Sequence, residues 1–344
     1  MESSFSDFKH VRVHFLKLFD LEACLVIVRF HRLPKTYIKM NKMILALLMG
    51  LTGWQANAAE SYIIIDNQTG VILDSDKRNE KLQVASLTKV ATSLVVLDWA
   101  ELEKVDLSTF AEVPASATDN GASSSIGLAP GDRLSLRDLI YCALLASDNI
   151  AANTLAHHVG SRIANPEQLD PASNFVAQMN ALSRSLLMKR TLFLNPSGLD
   201  SMKSGAIPYS TAEDLARLTR YAYDKSGFAF YVSQKSRQIH ILRGGIDMPY
   251  DIRNTNELVG RNGIDGVKTG RTRKAGDCLI LSADRRPESR REGQTVLITP
   301  RRITVVLLGS EDRFKDGTTL IQRGWGLYDA WAAEGRPSIK GEVL

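Results

Sequence analysis

The stretch that decides the fold lies at residues 85–92 and reads ASLTKVAT. In it, Ser86 stands three positions before Lys89, which places both side chains on one face if the segment is helical. Serine often caps a helix N-terminus and lysine is common on helix surfaces, so the stretch alone predicts only a helix that begins near Ser86. The same spacing also fits a serine nucleophile with a lysine base one turn later. The rest of the chain has to decide between these interpretations.

Two further motifs favour the nucleophile. An S-D-N motif at 147–149 lies between two predicted helices, and a K-T-G motif at 268–270 begins a predicted strand. Taken singly, the first is typical of a capping turn and the second of a strand with a bulge. Together with the first stretch they complete the S-x-x-K, S-D-N, K-T-G set of penicillin-recognising serine enzymes.

The residue types fit a nucleophilic mechanism. A serine hydroxyl needs a base to remove its proton, and Lys89 is placed to do this for Ser86. The lysine must be neutral to act, and we expect burial and the positive charge of Lys268 to lower its pKa. Ser147 is predicted to pass a proton to the departing amine, and Asn149 to hold the substrate backbone.

The K-T-G motif supplies the groups for a substrate that ends in a carboxylate. Lys268 offers a cation and Thr269 a hydroxyl to that carboxylate. Gly270 is expected to let the substrate backbone approach the strand closely. The predicted oxyanion hole consists of the backbone N–H groups of Ser86 and Arg271, the residue after the motif.

Several segments resemble one known family. The chain is similar to the low-molecular-mass penicillin-binding proteins, which are serine-type D-alanyl-D-alanine carboxypeptidases, over roughly residues 59–335. The resemblance implies a β-lactamase/transpeptidase-like fold, peptidoglycan stem peptides ending in D-Ala-D-Ala as substrate, an acyl-enzyme on Ser86 and acylation by penicillins. It rests on the segments IIIDNQTGVIL, ASLTKV, SDNIAANTLA, NPSGL and DGVKTGRTRKAGDCL.

The chain departs from that family in two places that matter for function. Arg271 occupies a position that is often aromatic or histidine in the family, and its side chain is expected to add a second carboxylate contact. The segment 285–302, RRPESRREGQTVLITPRR, is an unusually basic connection between predicted strands. We interpret it chiefly as a solvated hairpin, with binding of anionic wall polymer as the lesser alternative.

The order of predicted elements indicates an α+β fold. A β-hairpin at 61–76, turning at 67–70, precedes a helix at 86–103 with one apolar side. Helices dominate the middle, strands return at 266–286 and 302–312, and an amphipathic helix follows at 319–335. This order predicts a central antiparallel sheet flanked by helices, with an inserted all-helical subdomain at about 107–230. The catalytic domain is predicted to span 59–335, with a short tail at 336–344.

The N-terminal region carries an export pattern. Lysines precede an apolar run at 43–51, and small residues at 56–58 form a cleavage-like site, so 40–58 is predicted to be a signal peptide. Residues 1–39 fit no export pattern and are interpreted as a non-native or disordered extension. We therefore expect an exported, periplasmic protein with no stable membrane anchor after signal cleavage.

Charge, cysteine content and motifs argue against a nucleic-acid partner, a metal or a cofactor. The sequence pI is about 9.0, but residues 1–58 contribute a net charge of +4 and the remainder only +1, which argues against a nucleic-acid partner. Cys142 and Cys278 lie in apolar contexts that predict buried free thiols. The adjacent His157 and His158 lack metal-ligand spacing, and no phosphate-binding glycine motif occurs, so no metal or cofactor is expected.

Three alternatives accompany this interpretation. A class A β-lactamase needs a glutamate between the second and third motifs; Glu167 is the nearest candidate, but Pro171 stands where those enzymes carry asparagine. An endopeptidase that cuts the D-Ala–diamino acid cross-link would use the same nucleophile, and the segment LAHHVG (155–160) is similar to that branch of the family. From another class, a non-catalytic β-lactam-sensing or wall-binding module would need no cleavage activity.

Overall fold

The computed structural model describes residues 59–200, 206–338 and 342–344, so the predicted signal peptide and the extension before it lie outside the described residues. Nine strands and seven α-helices are described. The strands are β1 (Ser61–Asp66), β2 (Ile72–Asp76), β3 (Phe110–Glu112), β4 (Arg133–Ser135), β5 (Ser236–Arg243), β6 (Ile246–Arg253), β7 (Ile264–Thr272), β8 (Gly276–Glu292) and β9 (Thr295–Ser310). The helices are α1 (Thr88–Leu102), α2 (Leu136–Leu144), α3 (Asn149–Gly160), α4 (Pro171–Ser185), α5 (Ala212–Asp224), α6 (Phe228–Val232) and α7 (Arg313–Ala333).

The larger sheet is antiparallel and is covered on both faces. Its strand order is β2-β1-β9-β8-β7, so the first strand pairs with the last. Side chains alternate between two cores because successive residues of a strand point to opposite faces. Ile64 and Val305 pack with Trp325 of α7 on one face, whereas Ile63 and Val306 join the larger core on the other.

Helix α1 lies at the centre of the larger core. Most of its residues are buried, including the polar Thr92 and Ser93, although Leu102 at its C-terminal end is 78% exposed. A helix buried on nearly every side belongs to the middle of a protein, whereas the sequence predicted only one apolar side. The Thr92 hydroxyl is satisfied by donating to the Pro196 carbonyl at 2.6 Å.

The predicted fold class is confirmed, although the insertion is not purely helical. The short strands β3 and β4 lie within 107–230 and pair with the later hairpin to form a second sheet, ordered β3-β4-β5-β6. Strands of three residues are too short to show the alternation by which a strand is recognised in sequence. This explains why the sequence predicted helices alone.

Several predicted boundaries move. The strand predicted at 266–286 is two strands, β7 and β8, joined by a tight turn that ends at Gly276, whose φ is 64°. The terminal helix begins at Arg313, where the Asp312 side chain caps it by accepting from the Lys315 N–H. Helix α5 is capped by Thr211, whose hydroxyl accepts from the Asp214 N–H at 3.0 Å.

The final residues contact the first hairpin. Val343 pairs with Val71, and Leu344 donates its backbone N–H to Gly70 O at 3.1 Å.

Among the described residues, none of the helices combines the length and apolar character needed to cross a bilayer.

Candidate active site

The turn before α1 presents Ser86. Residues Ala85–Leu87 form a 3₁₀ helix, and Ala85 has a left-handed φ of 48°. Leu87 is the N-cap of α1 and has no side-chain cap, so the Ser86 hydroxyl does not cap the helix as the sequence suggested. It is instead 2.8 Å from Lys89 Nζ. The i, i+3 spacing across the turn thus brings the predicted nucleophile and base together.

Lys89 is fully buried. Its Nζ contacts three neutral oxygens: Ser86 Oγ at 2.8 Å, Asn149 Oδ1 at 2.8 Å and the Ser197 carbonyl at 2.7 Å. Burial lowers the pKa of Lys89 to about 7, although the Asp148 carboxylate nearby favours its charged form. Near neutral pH a substantial fraction of this amine is therefore unprotonated and able to accept a proton.

The S-D-N motif fixes the turn between α2 and α3. Asp148 is buried; its Oδ1 accepts from Ala151 N–H at 2.8 Å and caps α3, while its Oδ2 accepts from the Ser124 hydroxyl at 2.6 Å. Asn149 also donates through Nδ2 to the Ser123 carbonyl at 3.3 Å. The motif therefore holds the 123–125 loop beside Lys89.

Among the described residues, Ser147 is not one of the hydrogen-bond partners of Lys89. It has a left-handed φ of 59°, and its side chain is half-buried. Within the described part of the chain, its hydroxyl makes no hydrogen bond with Ser86 or Lys89. Its predicted role as a proton relay therefore stays a prediction.

The K-T-G motif lies on β7. Lys268 is only 1% exposed, and its Nζ donates to Thr269 O at 2.9 Å. Burial lowers the pKa of Lys268 well below its ordinary value, and the positive charges of Lys89 and Arg313 lower it further. Repulsion by Lys268 was also expected to lower the pKa of Lys89, but burial is the cause that lowers it there.

Gly270 lies directly against the Ala85–Leu87 turn, here called the nucleophile turn because it carries the predicted nucleophile Ser86. A Cβ added to it would lie 3.0 Å from Val84 O and 3.2 Å from the Ser86 backbone nitrogen. The glycine therefore lets β7 pack on the turn, beyond the substrate approach predicted for it. The Arg271 side chain is 75% exposed at the rim, with Nε 3.4 Å from Asp277.

This geometry agrees with the comparison to protein families. Residues 52–293 match the family model described as D-alanyl-D-alanine carboxypeptidase, peptidase S11. The chain belongs to this family. The family predicted from the three motifs is thereby confirmed.

Two curated relatives illustrate the range of the D-alanyl-D-alanine carboxypeptidase family. The chain is 29% identical over 229 residues to the D-alanyl-D-alanine carboxypeptidase DacF of Bacillus subtilis, a match covering 66% of this chain and 54% of that protein. It is 30% identical over 235 residues to a D-alanyl-D-alanine endopeptidase of Pseudomonas aeruginosa, covering 67% and 69%. The chain thus spans about half of the first relative's length and about two thirds of the second's.

Solved structures share the fold. The Streptomyces K15 DD-transpeptidase has a TM-score of 0.66 at 25% identity, with 78% of this chain and 97% of that chain covered. Penicillin-binding protein D2 from Listeria monocytogenes, in its cefotaxime-bound form, has a TM-score of 0.62 at 26% identity, with the same coverage. These neighbours agree with the predicted transpeptidase-like fold.

Sequence reasoning missed the 195–199 loop as part of this carboxypeptidase-family site. Asn195 Oδ1 accepts from Gly198 N–H at 2.7 Å, which orients the loop so that Ser197 O reaches Lys89. Gly198 has a φ of 79°, and an added Cβ would overlap the Ala85 carbonyl. The available signal was the N-P-S-G-L segment at 195–199, which carries part of the family resemblance but contains no residue predicted to be in the site.

Two more residues behind the K-T-G strand were missed. Arg313, at the start of α7, donates from Nη1 to Gly270 O at 3.0 Å and lies 3.3 Å from Asp277. The Thr255 hydroxyl is 2.6 Å from the Thr269 hydroxyl, and the Thr255 backbone N–H donates to Leu145 O at 3.0 Å. Thr255 therefore links the K-T-G strand to the end of α2. Neither residue belongs to a short motif.

Other candidates lie away from the carboxypeptidase-family site. Glu167 is exposed, and in the described ranges no hydrogen bond or ion pair joins it to Ser86 or Lys89. His158 packs edge-on against Trp99, and burial lowers its pKa to about 4, as do the neighbouring charges. No group of three potential metal ligands occurs in the part of the chain that the structure describes.

Proposed function

We propose that this member of the family hydrolyses the terminal D-Ala-D-Ala bond of peptidoglycan stem peptides through an acyl-enzyme on Ser86. The observation that carries the proposal is the 2.8 Å contact between Ser86 Oγ and the buried Lys89 Nζ, whose pKa is lowered to about 7. A hydroxyl beside an amine that is neutral near physiological pH is an activated nucleophile. Penicillins would acylate the same serine.

Acylation follows from these groups. Neutral Lys89 takes the proton of Ser86 Oγ as the oxygen attacks the carbonyl carbon of the penultimate D-Ala. The negative charge on the carbonyl oxygen is stabilised by the backbone N–H groups of Ser86 and Arg271. The proton held by Lys89 passes through Ser147 to the amine of the departing D-Ala as the C–N bond breaks, and water then hydrolyses the ester to release the shortened peptide and restore Ser86.

The terminal carboxylate is proposed to bind Lys268 and Thr269, with Arg271 adding a contact at the rim. A carboxylate beside Lys268 would raise the pKa of that amine again, because an opposite charge favours the ammonium form. Substrate binding is then coupled to proton uptake. Asn149 is assigned a second role besides holding the substrate backbone, since its Oδ1 already orients Lys89.

The test uses a pentapeptide ending in D-Ala-D-Ala and a fluorescent penicillin. We expect release of D-Ala and covalent labelling in the wild type, and loss of both in Ser86→Ala. Ser108→Ala, which removes an exposed serine outside the site, is the matched control and should retain both. Labelling without peptide cleavage would favour the β-lactam-sensing module, and labelling that survives in Ser86→Ala would refute the nucleophile assignment.

A second candidate is cleavage of the D-Ala–diamino acid cross-link. The 30% identity to the Pseudomonas endopeptidase favours it, and that match covers more of the relative than the Bacillus match does. Incubation with pentapeptide and with cross-linked muropeptide dimers, followed by chromatography, distinguishes the two. If the dimers are cleaved while the pentapeptides stay intact, the endopeptidase assignment replaces the carboxypeptidase proposal.

The proposed setting is the periplasm, where stem peptides are exposed. It is supported by the signal pattern at 40–58 and by the D-alanyl-D-alanine carboxypeptidase activity for which the Bacillus relative is named. The proposed reaction uses groups of the protein and water, and needs neither a cofactor nor a nucleic acid. Mass spectrometry of the exported protein should find its first residue near Ala59.

A further inference from the structure

Two strands of the larger sheet continue well beyond their neighbours. The pairing of β8 with β7 ends at Ala283, and the pairing of β9 with β1 ends at Ile303. Beyond this point residues 285–302, here called the ribbon, form a two-stranded antiparallel hairpin that pairs out to Glu292 and Thr295. The solvated hairpin expected for this basic segment is therefore present, although it consists of strands and not of a loop.

The base of the ribbon is fixed on the side that faces α7. Arg285 and Arg301 each lie 3.0 Å from the Asp329 carboxylate, and Arg301 lies 3.4 Å from Glu288. Arginines on this side are thus paired with acidic residues. These contacts hold the ribbon in a defined direction.

The opposite face of the ribbon is different. Cross-strand pairing places Arg291 beside Val296 and Ser289 beside Ile298, so these four side chains share one face. Val296 is 53% exposed and Ile298 65% exposed. This face carries no carboxylate, and among the described residues Arg291 forms no ion pair. Arg286, in the bulge before it, is likewise exposed and without an ion pair in the described ranges.

Positive charge is concentrated in the ribbon. It contains six arginines and two glutamates, a net charge of +4, whereas the rest of residues 59–344 has a net charge of −3. Such a separation orients a protein with its basic end toward an anionic surface.

We propose that the Arg291–Val296–Ile298 face of the ribbon binds reversibly to the surface of an anionic phospholipid membrane. Lipid head groups supply the negative charge for the arginines, and the region just below them accepts aliphatic side chains. An anionic wall polymer would account for the arginines but not for the exposed aliphatic residues. A partner protein would need roughly 800 Å² of buried surface on each side, far more than these few side chains offer.

The unpaired edges of the ribbon limit how deeply it can enter a membrane. No described strand pairs with the outer edges of the ribbon, and unpaired backbone groups confine it to the interfacial region. Arg291 lies thirteen positions after Cys278, the partner of Gly270, which is roughly 40 Å of extended chain. The lipid contact would therefore lie at that distance along β8 from the K-T-G strand.

Vesicle flotation tests the proposal, with all proteins sharing the same N-terminus. We expect the wild type to float with vesicles of phosphatidylcholine and phosphatidylglycerol in equal parts, but not with phosphatidylcholine alone, and to be released by high salt. Arg286→Gln/Arg291→Gln and Val296→Ser/Ile298→Ser should each bind about tenfold more weakly or worse. Arg184→Gln/Arg261→Gln removes two exposed arginines elsewhere and should bind as the wild type does.

Three results would overturn the membrane proposal. The first is equal binding by the wild type and the ribbon variants. The second is loss of vesicle binding in Arg286→Gln/Arg291→Gln while Val296→Ser/Ile298→Ser still binds fully. The ribbon would then recognise charge alone, as expected for an anionic wall polymer. The third is a wild-type dimer, detected by light scattering, that Val296→Ser/Ile298→Ser abolishes. The ribbon face would then bind a second copy of the chain. Penicillin labelling of Ser86 in the same samples reports on the proposed function separately, because the ribbon variants leave the site intact.

Discussion

The nucleophile turn and the ribbon use the same kinds of residue under opposite conditions. At the turn, Lys89 is completely buried and each of its hydrogen bonds goes to a neutral oxygen. In the outer part of the ribbon, the Arg286 and Arg291 side chains are exposed to water, where their charge costs little. Burial makes a lysine a base, whereas exposure keeps an arginine a cation. The comparison teaches that the environment, more than the residue type, decides what a basic side chain does.

The largest expected effect comes from removing the buried amine. Lys89→Met should slow acylation by a penicillin about 10³-fold, because no other base contacts Ser86 Oγ in the described residues. Lys189→Met, at an exposed position, is the control. Stopped-flow labelling gives the rate, and thermal unfolding checks that the variant is folded. A loss of less than tenfold would remove Lys89 from the role of base.

The next effect contrasts two glycines with left-handed φ. An alanine at Gly198 would overlap the Ala85 carbonyl, and we expect Gly198→Ala to lower the free energy of unfolding by about 3 kcal/mol or more. Gly293, at the ribbon tip, has nothing within 4 Å of an added Cβ, so Gly293→Ala should cost only about 1 kcal/mol for its backbone conformation. Urea unfolding measures both. Equal costs would mean that crowding at the turn is unimportant.

The pH dependence follows from the pKa of about 7 for Lys89. The base is active when neutral, so the acylation rate should rise about tenfold from pH 6 to pH 8. In the unfolded chain, Lys89 keeps its proton up to its ordinary pKa of 10.5, whereas the folded protein loses it at about pH 7. Because the unfolded state binds more protons between these values, Lys89 makes the free energy of unfolding rise with pH in this range. A rate that stays flat from pH 6 to pH 8 would contradict a titrating Lys89.

The smallest effect is expected at Thr255. Thr255→Val removes the hydroxyl that is 2.6 Å from Thr269 Oγ1, and KM for the pentapeptide should rise about fivefold, as loss of one hydrogen bond predicts. The rate constant kcat should change less, because Ser86 and Lys89 are untouched. Thr295→Val, in the ribbon, is the matched control. A fall in kcat with an unchanged KM would show that Thr255 does not position the carboxylate site.

Much of the site could be predicted because its residues lie in short motifs of fixed spacing. Ser86 and Lys89 are three residues apart, and helical geometry alone brings them together. The approach of Asn149 to Lys89 was implied only by the motif set, since tertiary packing creates it.

What could not be predicted rests on backbone atoms and on distant single residues. Ser197 contributes a carbonyl oxygen, which any residue type possesses, so its identity gives no signal. Arg313 and Thr255 reach the K-T-G strand only because the sheet and the second hairpin are folded. The strands β3 and β4 were missed because they are too short to show a periodic pattern.

The pairing of β1 with β9 also has a kinetic consequence. Ile65 pairs with Thr304, so the sheet cannot close until nearly the whole chain is available. Contacts between such distant residues require closing a long loop, which slows folding. The nucleophile turn is synthesised early, but Lys268 and Gly270, which complete it, come late. Reactivity toward penicillin should therefore appear in one step at the end of folding, and a chain truncated before β9 should not acquire it.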